Sequence, residues 1–108
     1  MAYQYQDLRN GRFYLGDNVE AMQTIPESVI DLTVTSPPYD DLRKYTEESQ
    51  WNWKKFTQVA HELYRVTKEG GVVVWNVADQ VIEGGETGTS FRQALYFMDE
   101  CGFKLHDP

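Results

Sequence analysis

The sequence has one cysteine, Cys101, and two histidines, His61 and His106, in 108 residues. A single thiol excludes an internal disulfide, and no Cys and His stand at the spacing of a zinc site, so no metal is expected. Apolar runs such as Val72–Trp75 fall far short of the ~20 residues of a membrane helix. The N-terminal Met-Ala-Tyr-Gln-Tyr-Gln-Asp lacks a basic-then-apolar export segment. These absences predict a cytoplasmic protein with no membrane association. Positive charge is also scarce: 10 Lys and Arg against 17 Asp and Glu give a net charge of −7. That balance opposes a large phosphate-binding surface on this chain, so any grip on nucleic acid must lie largely elsewhere. Arg43, Lys44, Lys54 and Lys55 are a local cluster, read as a solvated face or a single phosphate contact.

With 41% apolar and 14% aromatic residues the chain has the composition of one folded domain. It is shorter than the roughly 150 residues of a complete doubly wound nucleotide-binding domain. Its apolar pattern alternates between strand-like and helical periods. Arg12–Leu15 reads as a strand ending at Gly16-Asp17, and Val19, Met22 and Ile25 then share a helical face up to Pro26. Val29–Thr35 is a β-branched second strand that stops at Ser36-Pro37-Pro38-Tyr39. After a polar loop over Asp40–Gln50, Phe56, Val59, Ala60 and Leu63 mark a helix with Gly70-Gly71 as its stop. Val72–Val77 follows as a strand of the kind buried on both faces. Glu83–Thr89 reads as a flexible connection, and Ser90 with Gln93 as a capping box for a helix built on Phe91, Ala94, Leu95 and Met98 and closed by Gly102. Phe103–His106 begins a fourth strand. Strands alternating with helices predict an α/β fold with a parallel sheet, whose crevice lies beyond the carboxyl ends of the strands.

Ser36-Pro37-Pro38-Tyr39 lands on that rim. Two consecutive prolines fix φ twice, remove two N–H donors and hold Ser36 extended. What remains is a stiff loop rich in acceptors, with the Ser36 hydroxyl and backbone carbonyls suited to an amino group and Tyr39 offering a flat face. This is a seat for an amino-bearing planar base.

Asp31-Leu-Thr-Val-Thr-Ser-Pro-Pro-Tyr39 resembles the catalytic motif of the amino-directed DNA methyltransferases, Asp/Asn/Ser-Pro-Pro-Tyr/Phe. Tyr14–Met22 with Ile25–Asp31 upstream, and Leu63–Val74 downstream, are similar to the segments flanking that motif in the N4-cytosine and N6-adenine members, so the likeness runs over residues 12–106. The resemblance implies a Rossmann-like S-adenosylmethionine-dependent fold, here a partial, mainly parallel sheet flanked by helices. It implies direct methyl transfer from S-adenosylmethionine to the exocyclic amine of a DNA base flipped from the duplex, in restriction-modification or DNA marking. By the same resemblance Ser36 and the Pro37 carbonyl accept from the amine, Pro38 stiffens the loop, Tyr39 stacks, and Asp17 and Ser36 contact the cofactor. Ser in the first motif position leans to N4-cytosine; N6-adenine is the alternative. The family's Phe-x-Gly-x-Gly loop, which cradles the methionine part of the cofactor, occurs nowhere in the sequence. Residues 1–108 are therefore expected to be the N-terminal catalytic portion of a motif-first enzyme, without its glycine loop and target-recognition region. A noncatalytic or split half, completed by self-association or by a partner chain, is the alternative from another class.

Other residues have plainer readings. Asp17 serves equally as a helix cap. Asp40 and Asp41 are solvated loop acids, Cys101 a helix-end cysteine without the preceding proline of a thiol nucleophile, and His61 a boundary residue. Gly84-Gly85 lacks phosphate-loop spacing. Trp51 and Trp53 are expected to be buried under the neighbouring helix.

Overall fold

The computed structural model describes residues 3–37, 52–79 and 81–106. Pro38, Tyr39, Asp40, Asp41, Arg43, Lys44 and Trp51 lie outside the described residues. The chain opens with an antiparallel hairpin of β1 (Tyr3–Leu8) and β2 (Gly11–Gly16), joined by Arg9-Asn10. The strand expected at Arg12–Leu15 thus pairs antiparallel, with a strand that the polar Gln4, Gln6 and Asp7 had concealed. Cross-strand contacts hold it: Tyr14 packs between Tyr3 and Tyr5, with ring centroids at 5.7 and 6.4 Å. Arg12 lies over Tyr5 and donates to Asp7 at 2.6 Å.

Helix α1 (Asn18–Met22) follows and ends before Ile25. β3 (Ile30–Thr35) and β4 (Thr67–Trp75) form a parallel pair, with the long helix α2 (Trp53–Val66) as their crossover. Helix α2 buries Phe56, Val59, Ala60 and Leu63, the four residues its periodicity marks, together with Val66. Asn52 caps it by accepting the Lys55 N–H at 2.8 Å.

Its stop is not Gly70-Gly71. Thr67 already has extended backbone angles, and its hydroxyl donates to the Leu63 carbonyl, closing the last turn as β4 begins. The two glycines instead serve a register shift. Ile30 pairs with Thr67 and Leu32 with Val72, so Lys68–Gly71 bulges from the ladder. Gly70 has φ +83°, and a Cβ on Gly71 would stand 2.9 Å from the Ile30 carbonyl oxygen.

Beyond β4, Val81–Ile82 (β5) and Gly85–Glu86 (β6) pair across Glu83-Gly84, both at positive φ, as a two-residue primed turn requires. The expected flexible connection is in part this tight hairpin. Helix α3 (Thr89–Tyr96) continues into a wider π-type turn, Phe97–Cys101, closed by Gly102. The expected capping box is not formed. Asp79 takes that role from outside the helix, accepting from the Ser90 N–H at 2.6 Å and its hydroxyl at 3.0 Å. Gln93 turns inward and accepts the Trp75 indole N–H at 3.0 Å. Phe103–His106 pairs with no strand among the described residues.

The core is the contact of α2 with β4 and the C-terminal turn. Phe56, Phe97 and Trp75 meet edge to face at centroid distances of 5.1 to 5.7 Å, and Phe103 joins through Phe97. Val73 and Trp75 face this core, whereas Val72 and Val74 point away and remain exposed. Among the described residues this pair is covered on one face only, against the expectation of burial on both. Trp53 also departs from expectation: it is 46% exposed, packing its ring against Phe56 and Tyr96. No helix among the described residues is long and apolar enough to cross a membrane.

Candidate active site

The rim of interest is where β3 and β4 end side by side. Thr35 pairs with Trp75, and the Asn76 N–H donates to the Thr35 carbonyl at 3.0 Å. One residue further on, Ser36 leaves the ladder, because Pro37 has no N–H to continue it and restricts its predecessor to extended geometry. Ser36 is exposed and Pro37 buried, so the proline anchors the corner beside an exposed serine. Asn76 is exposed beside it on the neighbouring strand. Its carboxamide adds a donor and an acceptor to the rim, a contribution that only the strand register reveals.

Asp17 stands at the other strand end, just after β2. Its Oδ2 accepts the Glu20 N–H at 3.0 Å as the cap of α1, and its Oδ1 forms an ion pair with Lys55 in the first turn of α2. Burial raises the carboxyl's pKa, but the Lys55 ammonium and the Glu20 N–H outweigh it and hold the group below the ordinary carboxylate range. A carboxylate has about four lone-pair sites, and the Asp17 side chain is 32% exposed. Capping therefore leaves acceptor capacity toward solvent. Lys55, grouped by sequence with a solvated basic face, is the residue that fixes Asp17. Arg65 braces the same corner by donating to the Met22 and Ile25 carbonyls at 2.8 and 2.9 Å, which ties the end of α1 to α2. No hydrogen bond or ion pair joins Asp17 to Ser36 among the described residues.

The remaining titratable side chains have structural settings. His61 Nε2 lies 2.7 Å from the Tyr96 hydroxyl. Burial, then Glu100, pushes the Cys101 thiol up, which disfavours a nucleophilic thiolate.

A family model described as DNA methylase, N6_N4_Mtase, matches residues 30–108. The orphan methyltransferase M.BamHII of Bacillus amyloliquefaciens is 62% identical over 85 residues, covering 79% of this chain and 30% of that protein. The type II methyltransferase M.BglII of Bacillus subtilis is 32% identical over 80 residues, covering 68% of this chain and 21% of its own. Among solved structures, the PvuII DNA methyltransferase (cytosine-N4-specific) superposes with a TM-score of 0.67 at 27% identity, over 85% of this chain and 34% of that one. The chain thus spans about a third or less of the length of these relatives. The family model spans β3, its crossover helix, the parallel strand beside it and the C-terminal helix, and the chain belongs to the N6/N4 DNA methylase family.

Proposed function

We propose that this chain is the catalytic-motif portion of a DNA methyltransferase that methylates the exocyclic amine of a base, with N4 of cytosine as the target. The reading rests on one observation above all: Ser36 is exposed at the carboxyl rim of the parallel pair, on a corner stiffened and anchored by Pro37. An exocyclic amine is a poor nucleophile because its lone pair is delocalised into the ring. Acceptors on its N–H bonds favour a more tetrahedral nitrogen, and fixed placement supplies much of the rest. Ser36 Oγ and the Pro37 carbonyl are those acceptors, Pro38 keeps them rigid, and Tyr39 stacks on the flipped base.

S-adenosylmethionine, when bound, supplies the electrophilic methyl group. Asp17 suits its adenine end, having a charged carboxylate with free acceptor capacity, pre-oriented by Lys55 and by its capping bond. Ser36 is the second cofactor contact. The methionine end finds no Phe-x-Gly-x-Gly loop in this sequence, so cofactor capture needs a further segment. The same holds for the grip on DNA, given a net charge of −7. A cytoplasmic setting and a role in restriction-modification belong to this reading.

The N4 choice draws on the serine in the first motif position and on the stated specificity of the PvuII relative. To test it, the chain is incubated with DNA and S-adenosylmethionine, alone and co-expressed with the part of M.BamHII outside the matched segment. The digested DNA is then read by mass spectrometry. N4-methylcytosine is expected in the co-expressed sample. N6-methyladenine in its place overturns the choice of base, and no methylation in either sample overturns the catalytic assignment.

A further inference from the structure

Cys101 and His61 meet where the C-terminal π-type turn packs against α2. Cys101 Sγ lies 3.9 Å from His61 Nδ1, and the other ring nitrogen, Nε2, lies 2.7 Å from the Tyr96 hydroxyl. The direction of donation along these groups is fixed at the far end. Thr57 donates its one hydroxyl proton to the Lys54 carbonyl at 2.8 Å, so toward Tyr96 its oxygen is an acceptor. Tyr96 therefore donates to Thr57 and accepts the His61 Nε2–H, which leaves the Nδ1 lone pair facing the sulfur. An imidazole oriented through one N–H, with its other nitrogen bare beside a thiol, has the setting of a metal-ligating histidine. His61 is exposed and Cys101 half-buried, so an ion can reach the pair from solvent.

We infer that Cys101 and His61 form a two-donor site for a soft monovalent metal ion, Cu(I). The inference is independent of methyl transfer and uses neither Ser36 nor Asp17. Three observations select the ion. Among the described residues no group of three His, Cys, Asp or Glu side chains could hold a metal ion, which removes the three or four protein ligands that zinc takes. With bonds of about 2.3 Å to sulfur and about 2.0 Å to nitrogen, tetrahedral donors stand about 3.5 Å apart. The observed 3.9 Å opens that angle, as two-coordination requires, and one ion reaches both donors where they stand. Thiolate sulfur with imidazole nitrogen is also a donor set that soft Cu(I) accepts. On binding, the Cys101 S–H passes its proton to water, an S–Cu bond forms, Nδ1 supplies its lone pair, and copper stays Cu(I) throughout. Thiolate and monovalent ion together are neutral, which suits a half-buried position where burial disfavours the bare thiolate.

The probe is Cu(I) alone, kept reduced with ascorbate under nitrogen and titrated into the full chain against a coloured Cu(I) chelator. One ion per chain is expected by native mass spectrometry. In the nitrogen NMR spectrum the His61 Nδ1 resonance should move, while the His106 ring stays where it was. Cys101→Ser and His61→Phe, each removing one donor, should weaken binding at least about 100-fold, more than loss of an outer partner does. Tyr96→Phe keeps the ring contacts with Trp53 and Phe56 but loses the hydroxyl that orients His61, and should weaken binding about tenfold. Bound Cu(I) should raise the melting temperature of the wild type and not of Cys101→Ser. Circular dichroism identifies any variant that loses its fold, and the Nδ1 shift in the wild type then decides alone. Four results overturn the inference: no binding at about 10 μM, affinity indifferent to His61→Phe as for a thiol acting by itself, two chains bridged by one ion, or Zn(II) bound as tightly as Cu(I).

Discussion

Replacing Asp17 separates the two jobs of its carboxylate. Asparagine caps a helix about as well as aspartate does, so Asp17→Asn keeps the acceptor for the Glu20 N–H and loses only the charge facing Lys55. That ion pair is partly buried, with side chains 29% and 32% exposed, and its loss should cost about 1–2 kcal/mol, between the surface and the charge-assisted values. Asp17→Ala removes the cap as well, adding about 1 kcal/mol. Urea unfolding at pH 7 should therefore rank wild type, Asn variant and Ala variant in that order. In the Asn background, Lys55→Met should be nearly neutral, giving a coupling energy of about 1–2 kcal/mol in the double-mutant cycle.

The pH dependence carries a definite sign. The folded carboxyl titrates below its ordinary value, so its contribution is complete above the unfolded pKa and lost as pH falls through the lower, folded one. The gap between wild type and Asp17→Asn should be flat from about pH 7 to pH 5 and should close below about pH 4. Equal stabilities for the Asn and Ala variants, additive effects of Asp17→Asn and Lys55→Met, or a gap unchanged in acid would refute this reasoning.

Four further substitutions probe the frame around the rim. Gly71→Ala forces a Cβ to within 2.9 Å of the Ile30 carbonyl and should cost about 1–3 kcal/mol in thermal unfolding, whereas Gly11→Ala, with open space around it, should cost under about 1 kcal/mol. Phe56→Ala empties the middle of the aromatic cluster and should cost about 3–5 kcal/mol, enough to unfold a marginal domain at 37 °C. Asp79→Ala removes two hydrogen bonds from Ser90 and should cost about 1–2 kcal/mol, with faster amide exchange at Thr89–Arg92 and none of that change in α2.

Period and punctuation made some elements readable and not others. The existence and buried face of helix α2 were legible, though not its end, because one amphipathic stripe of i, i+3, i+4, i+7 spacing decides both. β3 was legible through its β-branched run and the abrupt Ser36-Pro37 stop. β1 was not, because its stability comes from cross-strand partners on β2 and not from its own apolar content. The Gly70-Gly71 pair misled for a related reason: glycine signals a special backbone conformation without saying which, and here it permits a bulge inside a strand. At the site, Asp17, Ser36 and Pro37 were legible as strand-end residues. Lys55, Asn76 and Asp79 were not, since each acts on a residue from 11 to 41 positions away through packing that only the folded chain supplies. The valine run of β4 predicted burial on both faces, whereas Val72 and Val74 are exposed and only Val73 and Trp75 pack against the core.

The measurement closest to the central claim is single-turnover methyl transfer by the chain co-expressed with the part of M.BamHII outside the matched segment, comparing wild type with Ser36→Ala. If the Ser36 hydroxyl accepts from the amine as it becomes nucleophilic, the rate should fall about 100-fold with DNA affinity unchanged. An unaltered rate, or a defect confined to DNA binding, would contradict the account.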